Sequence, residues 1–137
     1  MIFAPSIPLH FDDTFGYDNV QSVQELAKFH LTNLLLTNPG EKISDPEYGV
    51  GVRQFLFENQ TDAVLNRLSS RISSQVNSRL SYLTLKNVMV EPLLNYENAI
   101  NIKLYYRIDN INLDDMLNLN LNLNCHLCRY SLLGNKK

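Results

Sequence analysis

At 137 residues, 45 % hydrophobic and 19 % charged, the chain is long enough to bury one core and too short for two, so a single domain is expected. Twelve basic residues against fourteen acidic ones leave a formal charge of -2, and the Lys and Arg are dispersed, which excludes the basic stripe that neutralises nucleic-acid phosphates. No run approaches the roughly 18 apolar residues of a membrane helix, and the first six residues lack the charged and apolar regions of a signal peptide, so neither a membrane nor export is expected.

In chain order, Pro5 and Pro8 among Phe3, Ile7, Leu9 and Phe11 predict an extended arm over residues 1–20. Ser22 and Glu25 then stand at the spacing of a capping box, and Val23, Leu26, Ala27, Leu31, Leu34 and Leu35 recur at three-four spacing, with His30 a half-member of the stripe. A helix is predicted, stopped by Asn38, Pro39 and Gly40. A second, longer helix should begin near Thr61 with Asp62 at its positive end. Leu65, Leu68, Ile72, Val76 and Leu80 form its core stripe, while Arg67, Ser70, Arg71, Ser74, Asn77 and Ser78 form a solvated face.

Past Leu83 the period changes to two, first over residues 84–90 and then over 99–108, with a turn at 95–98. A third run is stricter: Leu117, Leu119, Leu121 and Leu123 alternate with Asn118, Asn120, Asn122 and Asn124, giving a strand with one oily and one amidic face. Helices first and strands afterwards predict an α+β domain, two main helices packed on one face of a small, mainly antiparallel sheet. The only cysteines, Cys125 and Cys128, flank His126, but a structural zinc needs four ligands and only His10 and His30 remain elsewhere. Two reduced thiols, no metal and no cofactor are expected, and residues 126–137 form a tail without an assigned role.

The segment between the helices is dense in backbone-special residues. Pro39 and Gly40 reverse the chain, Asp45 and Pro46 restrict a second turn, and Gly49 and Gly51 permit positive φ or close backbone approach. Val52, Phe55 and Leu56 can then pin a short helical turn onto the core. A phosphate cradle is excluded: the glycines follow no strand, their spacing fits neither known pattern, and Lys42 lies on the wrong side. A long ordered connection of this kind presents a shape to a partner.

Leu-Leu-Thr-x-Pro-Gly-Glu at 35–41, Asp-Pro-Glu-Tyr-Gly at 45–49 and Phe-Leu-Phe-Glu-Asn at 55–59 make the chain resemble the sheath-initiating baseplate wedge family of contractile phage tails, which has a counterpart in type VI secretion baseplates. The resemblance covers nearly the whole chain. It implies a fold similar to the conserved core of sheath subunits and several copies placed in sixfold symmetry on the wedges, in a virion baseplate assembled in the host cytoplasm. Its implied partners are the other wedge proteins and the tail sheath protein, with the tail tube a further candidate. Pro39, Gly40, Glu41, Asp45, Pro46, Tyr48, Gly49 and Arg79 become the expected wedge-facing surface. The strand from Leu117 to Asn124 becomes the expected acceptor for a sheath arm, since that stretch holds no Lys, Pro or inward charge to guard an edge. On this reading Leu121→Lys should block sheath growth. One departure stands out: the family's Glu-Pro-Arg at the end of the long helix, associated with wedge docking, is here Leu80-Ser81-Tyr82, with Arg79 the nearest cation.

Members of that family are often labelled lysozyme-like, and a glycoside hydrolase needs two carboxyls flanking a cleft, one with a raised pKa. Glu25, Glu41, Asp45, Glu47 and Glu58 are the candidates, and none has a sequence reason to be buried. The expectation is a structural protein and not an enzyme. A soluble regulator using the same fold to bind an unrelated protein is the third reading, because fold does not fix function.

Overall fold

The computed structural model describes residues 4–5, 11–12, 16–17, 19–20, 22–93 and 99–122. Most of the expected N-terminal arm therefore lies outside the described residues, as do the 95–98 turn, Leu123, Asn124, Cys125, Cys128 and the 126–137 tail. Within the arm, β1 (Ala4–Pro5) pairs antiparallel with β4 (Asn19–Val20), and β2 (Phe11–Asp12) with β3 (Gly16–Tyr17), one ladder nested inside the other.

Helix α1 spans Val23–Leu36. Its cap differs in detail from the expected box: Gln24 N donates to Ser22 Oγ at 3.3 Å, whereas a capping box takes that bond from the third helical residue, here Glu25. Glu25 is exposed in the first turn, where the helix dipole still favours a carboxylate. At the other end Thr37 turns extended, and its N–H and its Oγ1 both donate to Asn33 O, at 3.0 and 2.6 Å. Ala27, Leu31, Leu34 and Leu35 are fully buried.

The connection continues through a single turn, α2 (Val52–Phe55), in which Val52, Phe55 and the following Leu56 face the core as expected. Helix α3 (Asp62–Arg79) buries Leu68, Ile72 and Val76, with Leu80 just past its end, while Leu65 shares the half-buried entry turn with Val64. Each Leu or Ile placed in this seam contributes about 1.5–3 kcal/mol of burial.

The sheet is three-stranded and antiparallel, in the order β5 (Leu83–Pro92), β6 (Ala99–Ile108), β7 (Leu113–Asn122). α3 lies along β5. The architecture is the expected α+β one, and its covered face carries Ile100, Ile102, Leu104, Tyr106 and Ile108 of β6 opposite Leu121, Leu119, Leu117, Asp115 and Leu113 of β7. β5 reaches that face only by changing parity: Leu83 and Leu85 are odd, Val88 and Val90 even. A bulge between Leu85 and Asn87 leaves Lys86 without a cross-strand partner and absorbs the shift.

Two strands are longer than the alternation indicated. β7 begins at Leu113, four residues before the Leu-Asn run, because the two acids that break the pattern are individually satisfied. Asp114 pairs with Arg107 at 3.1 Å and Lys86 at 3.1 Å on the outer face. Asp115, on the covered face, takes Lys28 at 3.1 Å and the Tyr106 hydroxyl at 3.2 Å. Asn112 supplies the left-handed turn residue (φ 49°) just before the strand, a conformation Asn tolerates.

Candidate assembly surfaces

Two sites emerge: the connection between α1 and α2, which is clamped to α3, and β7, the edge of the sheet farthest from β5.

The connection is an ordered body. Glu41 closes its first turn, its carboxylate accepting from Asn38 N at 2.9 Å and Asn38 Nδ2 at 2.7 Å, and these bonds hold its pKa below the ordinary value. Gly40 N donates to Pro46 O at 2.8 Å, so the Pro39-Gly40 turn and the Asp45-Pro46 turn are tied together. Gly49 must be glycine: at φ 109°, a Cβ there would lie 2.3 Å from Thr37 O. That close approach lets Val50 N reach Leu34 O at 2.9 Å and Gly51 N reach Thr37 O at 2.9 Å, docking the loop on the end of α1.

The clamp comes from α3. Arg79 holds Asp45 with both terminal nitrogens, at 2.7 and 3.1 Å, and Gln75, one turn earlier, accepts from Gly49 N at 3.3 Å and donates to Glu47 O at 3.0 Å. Thus Pro39, Gly40, Glu41, Asp45, Pro46, Tyr48, Gly49 and Arg79 do share one cluster, with Arg79 committed to Asp45 inside the chain. Gln75 was not among the sequence candidates, although its four-residue spacing from Arg79 on one helix face is the signal for it. Behind the clamp, His30 Nδ1 and the Tyr82 hydroxyl are 2.5 Å apart. Burial lowers the pKa of His30 and, aided by Tyr48, pushes Tyr82 up to about 12; burial likewise raises Tyr48. Tyr82, in the stretch where the expected Glu-Pro-Arg is absent, therefore makes an internal contact with α1.

Two apolar side chains project from the segment between α1 and α3: Ile43 is 96 % exposed and Phe57 76 %. Lys42 lies over the Tyr48 ring at 4.3 Å, leaving the adjacent Ile43 outward. In the Phe-Leu-Phe run, Phe55 and Leu56 are buried and Phe57 is not, a choice set by the register of α2.

The two sheet edges differ. β5 carries the Lys86 bulge and Pro92, both devices that discourage further pairing. β7 has its acids confined to the first three residues, and from Leu117 to Leu121 it presents an uninterrupted alternation: Leu117, Leu119 and Leu121 are 1–3 % exposed, and Asn120 is exposed. Among the described residues β7 is paired by β6 alone. The covered position of Leu121, facing Ile100, also changes the expected test, since Lys there would break the core before it reported on the edge.

Among the described residues the carboxyls offer little toward acid–base chemistry. Asp45 is taken by Arg79, Glu58 by Arg67, and the two with resolved shifts, Glu41 and Asp114, both move downward, Asp114 chiefly through its bond from Lys86. A glycosidase acid needs the opposite direction. Among the described residues no group of His, Cys, Asp and Glu could hold a metal, and no helix is long and apolar enough to cross a membrane.

Comparison with known proteins agrees with this architecture. The model of the family described as baseplate wedge protein gp25 matches residues 21–113. Comparison with curated protein sequences returns no match. Among solved structures, a chain of the sixfold-symmetrised baseplate of the anti-feeding prophage is 26 % identical, with a TM-score of 0.67, covering 77 % of this chain and 84 % of its own. A Geobacter sulfurreducens protein provisionally called a tail lysozyme is 19 % identical with the same TM-score of 0.67, covering 79 % of this chain and 97 % of its own.

Proposed function

Because the chain belongs to the baseplate wedge protein gp25 family, we propose that it docks on the wedge of a contractile-tail baseplate and templates the first ring of the tail sheath by strand pairing at β7. A structural baseplate role follows from the family and from the likeness to the anti-feeding prophage baseplate. The observation that carries the finer reading is the asymmetry of the edges: β5 is blocked by a bulge and a proline, and β7 from Leu117 to Leu121 is open among the described residues. An extended arm of a sheath subunit added there would gain main-chain bonds, with side-chain alternation setting its register.

Docking on the neighbouring wedge proteins falls to the clamped connection, whose rigid turns present Ile43, with Phe57 exposed nearby in sequence. Several copies would stand around the tail tube within a virion assembled in the host cytoplasm, in keeping with the sixfold symmetry of the anti-feeding prophage baseplate. The hydrolase reading has one point in its favour, the provisional lysozyme label of the Geobacter protein, but that likeness is one of fold. The family, described as a baseplate wedge protein, supports a protein that is not an enzyme.

The test places Lys at Asn120, an exposed outer-face position, and counts sheaths on reconstituted baseplates by electron microscopy. Baseplates should form normally and sheaths should fail to start. Sheaths in wild-type number on Asn120→Lys baseplates would refute strand pairing at this edge, and cleavage of peptidoglycan by the purified protein would refute the non-enzymatic reading.

A further inference from the structure

The open edge has a second natural occupant. We propose that, before a sheath arm is present, the protein pairs β7 with β7 of a second copy as a two-fold antiparallel dimer; this rests on the same reading of β7 as an edge that accepts strands.

The strand is complementary to itself. With the two-fold axis through Leu119 and perpendicular to the sheet, Leu119 faces its own counterpart, Leu117 faces Leu121 of the second copy, and Asn118 faces Asn120 of the second copy. From Leu117 to Leu121 every apolar side chain meets an apolar one and every amide meets an amide, because the alternation there is strict and the period is two. The same axis keeps both helix layers on one face and joins two three-stranded sheets into one of six strands.

Asn120 is exposed on the outer face, where its side chain can meet that of Asn118 in the second copy; the Asn118 Oδ1 itself is enclosed and has no hydrogen-bond partner among the described residues. The acids do not oppose this. Asp114 and Asp115 lie at the outer ends of the paired segment and are neutralised within their own copy by Arg107 and Lys86 and by Lys28, and a formal charge of -2 per chain gives little repulsion. The β5 edge cannot form the equivalent dimer, since the Lys86 bulge interrupts the ladder and Pro92 lacks a donor.

Sedimentation velocity on the full chain, across a concentration series, tests the proposal. Wild type should show a concentration-dependent monomer–dimer equilibrium. A variant carrying Asn118→Lys and Asn120→Lys places like charges across the junction in any register that keeps the faces matched, and should weaken the dimer at least about tenfold. Asn118→Glu with Asn120→Glu should do the same, and an equal mixture of the two variants should dimerise again. Circular dichroism and unfolding midpoints confirm that both variants are folded. Wild type that remains monomeric at every concentration overturns the proposal, as does a lysine variant that dimerises like wild type or a mixture that stays monomeric. Each of those results leaves sheath pairing standing, because that is read on assembled baseplates. Conversely, a dimer together with sheath growth indifferent to Asn120→Lys would remove the sheath reading alone.

Discussion

Replacing Gly49 by Ala should unfix the whole connection between α1 and α2. The added Cβ would stand 2.3 Å from Thr37 O and 2.9 Å from Thr37 C, both backbone atoms that no rotamer can move aside. The backbone at φ 109° would cost an L-residue about 1–3 kcal/mol even in open space. Relieving the overlap pulls the loop from α1, which endangers the bonds from Val50 N to Leu34 O and from Gly51 N to Thr37 O, worth about 1 kcal/mol each. The sum is about 3–5 kcal/mol, or roughly 10–15 °C in Tm for a chain of this length. Gly40 is the control, because its φ is 90° but nothing lies within 4 Å of a Cβ there; Gly40→Ala should lose only the conformational part, about 1–2 kcal/mol. Denaturant unfolding of both variants gives the comparison. Equal losses at the two positions, or a Gly49→Ala loss under about 1 kcal/mol, would refute the claim that close packing on Thr37 holds the loop.

Three further outcomes can be checked. A double-mutant cycle between Arg79→Ala and Asp45→Ala should return a coupling of about 1 kcal/mol, the pair being bidentate with side chains 29 % and 27 % exposed; coupling within error of zero would mean Gln75 alone clamps the loop. Burial lowers His30 below its ordinary 6.5, so the folded chain binds this proton less readily than the unfolded one. The stability this affects is complete above the ordinary value and is lost as pH falls from 6.5 through the lowered folded value, and His30→Gln should remove that loss; parallel stability curves for the two proteins between about pH 7 and about pH 5 would show the contribution absent. Deleting Lys86 should destabilise by at least about 3 kcal/mol, because it removes the bulge and sends Leu83 and Leu85 to the opposite face from Val88 and Val90; an unfolding midpoint close to wild type would show that the strand does not need the parity change.

The sequence by itself determined the two main helices, the three long strands and most of the side chains that enter the core. Three-four spacing found the stripes of α1 and α3, and strict alternation found β6 and the run from Leu117 to Leu121, because burial on one face imposes the period of the backbone directly on the order of residues. It also marked the Pro-Gly connection as a run of tight turns, since Gly and Pro record unusual backbone geometry locally. What only the tertiary structure decided concerns partners far apart in the chain. That Arg79 and Gln75 clamp the loop, that Asp115 is satisfied by Lys28 and Tyr106, and that Phe57 projects while Phe55 and Leu56 do not, depend on how helices and strands meet. Strand order is the plainest case. Alternation is the same for a central strand and an edge strand, because it reports burial across the sheet and says nothing of the hydrogen bonds within it. The β7 edge, open among the described residues and the basis of both the proposed sheath pairing and the proposed dimer, became visible only when β5, β6 and β7 were placed side by side.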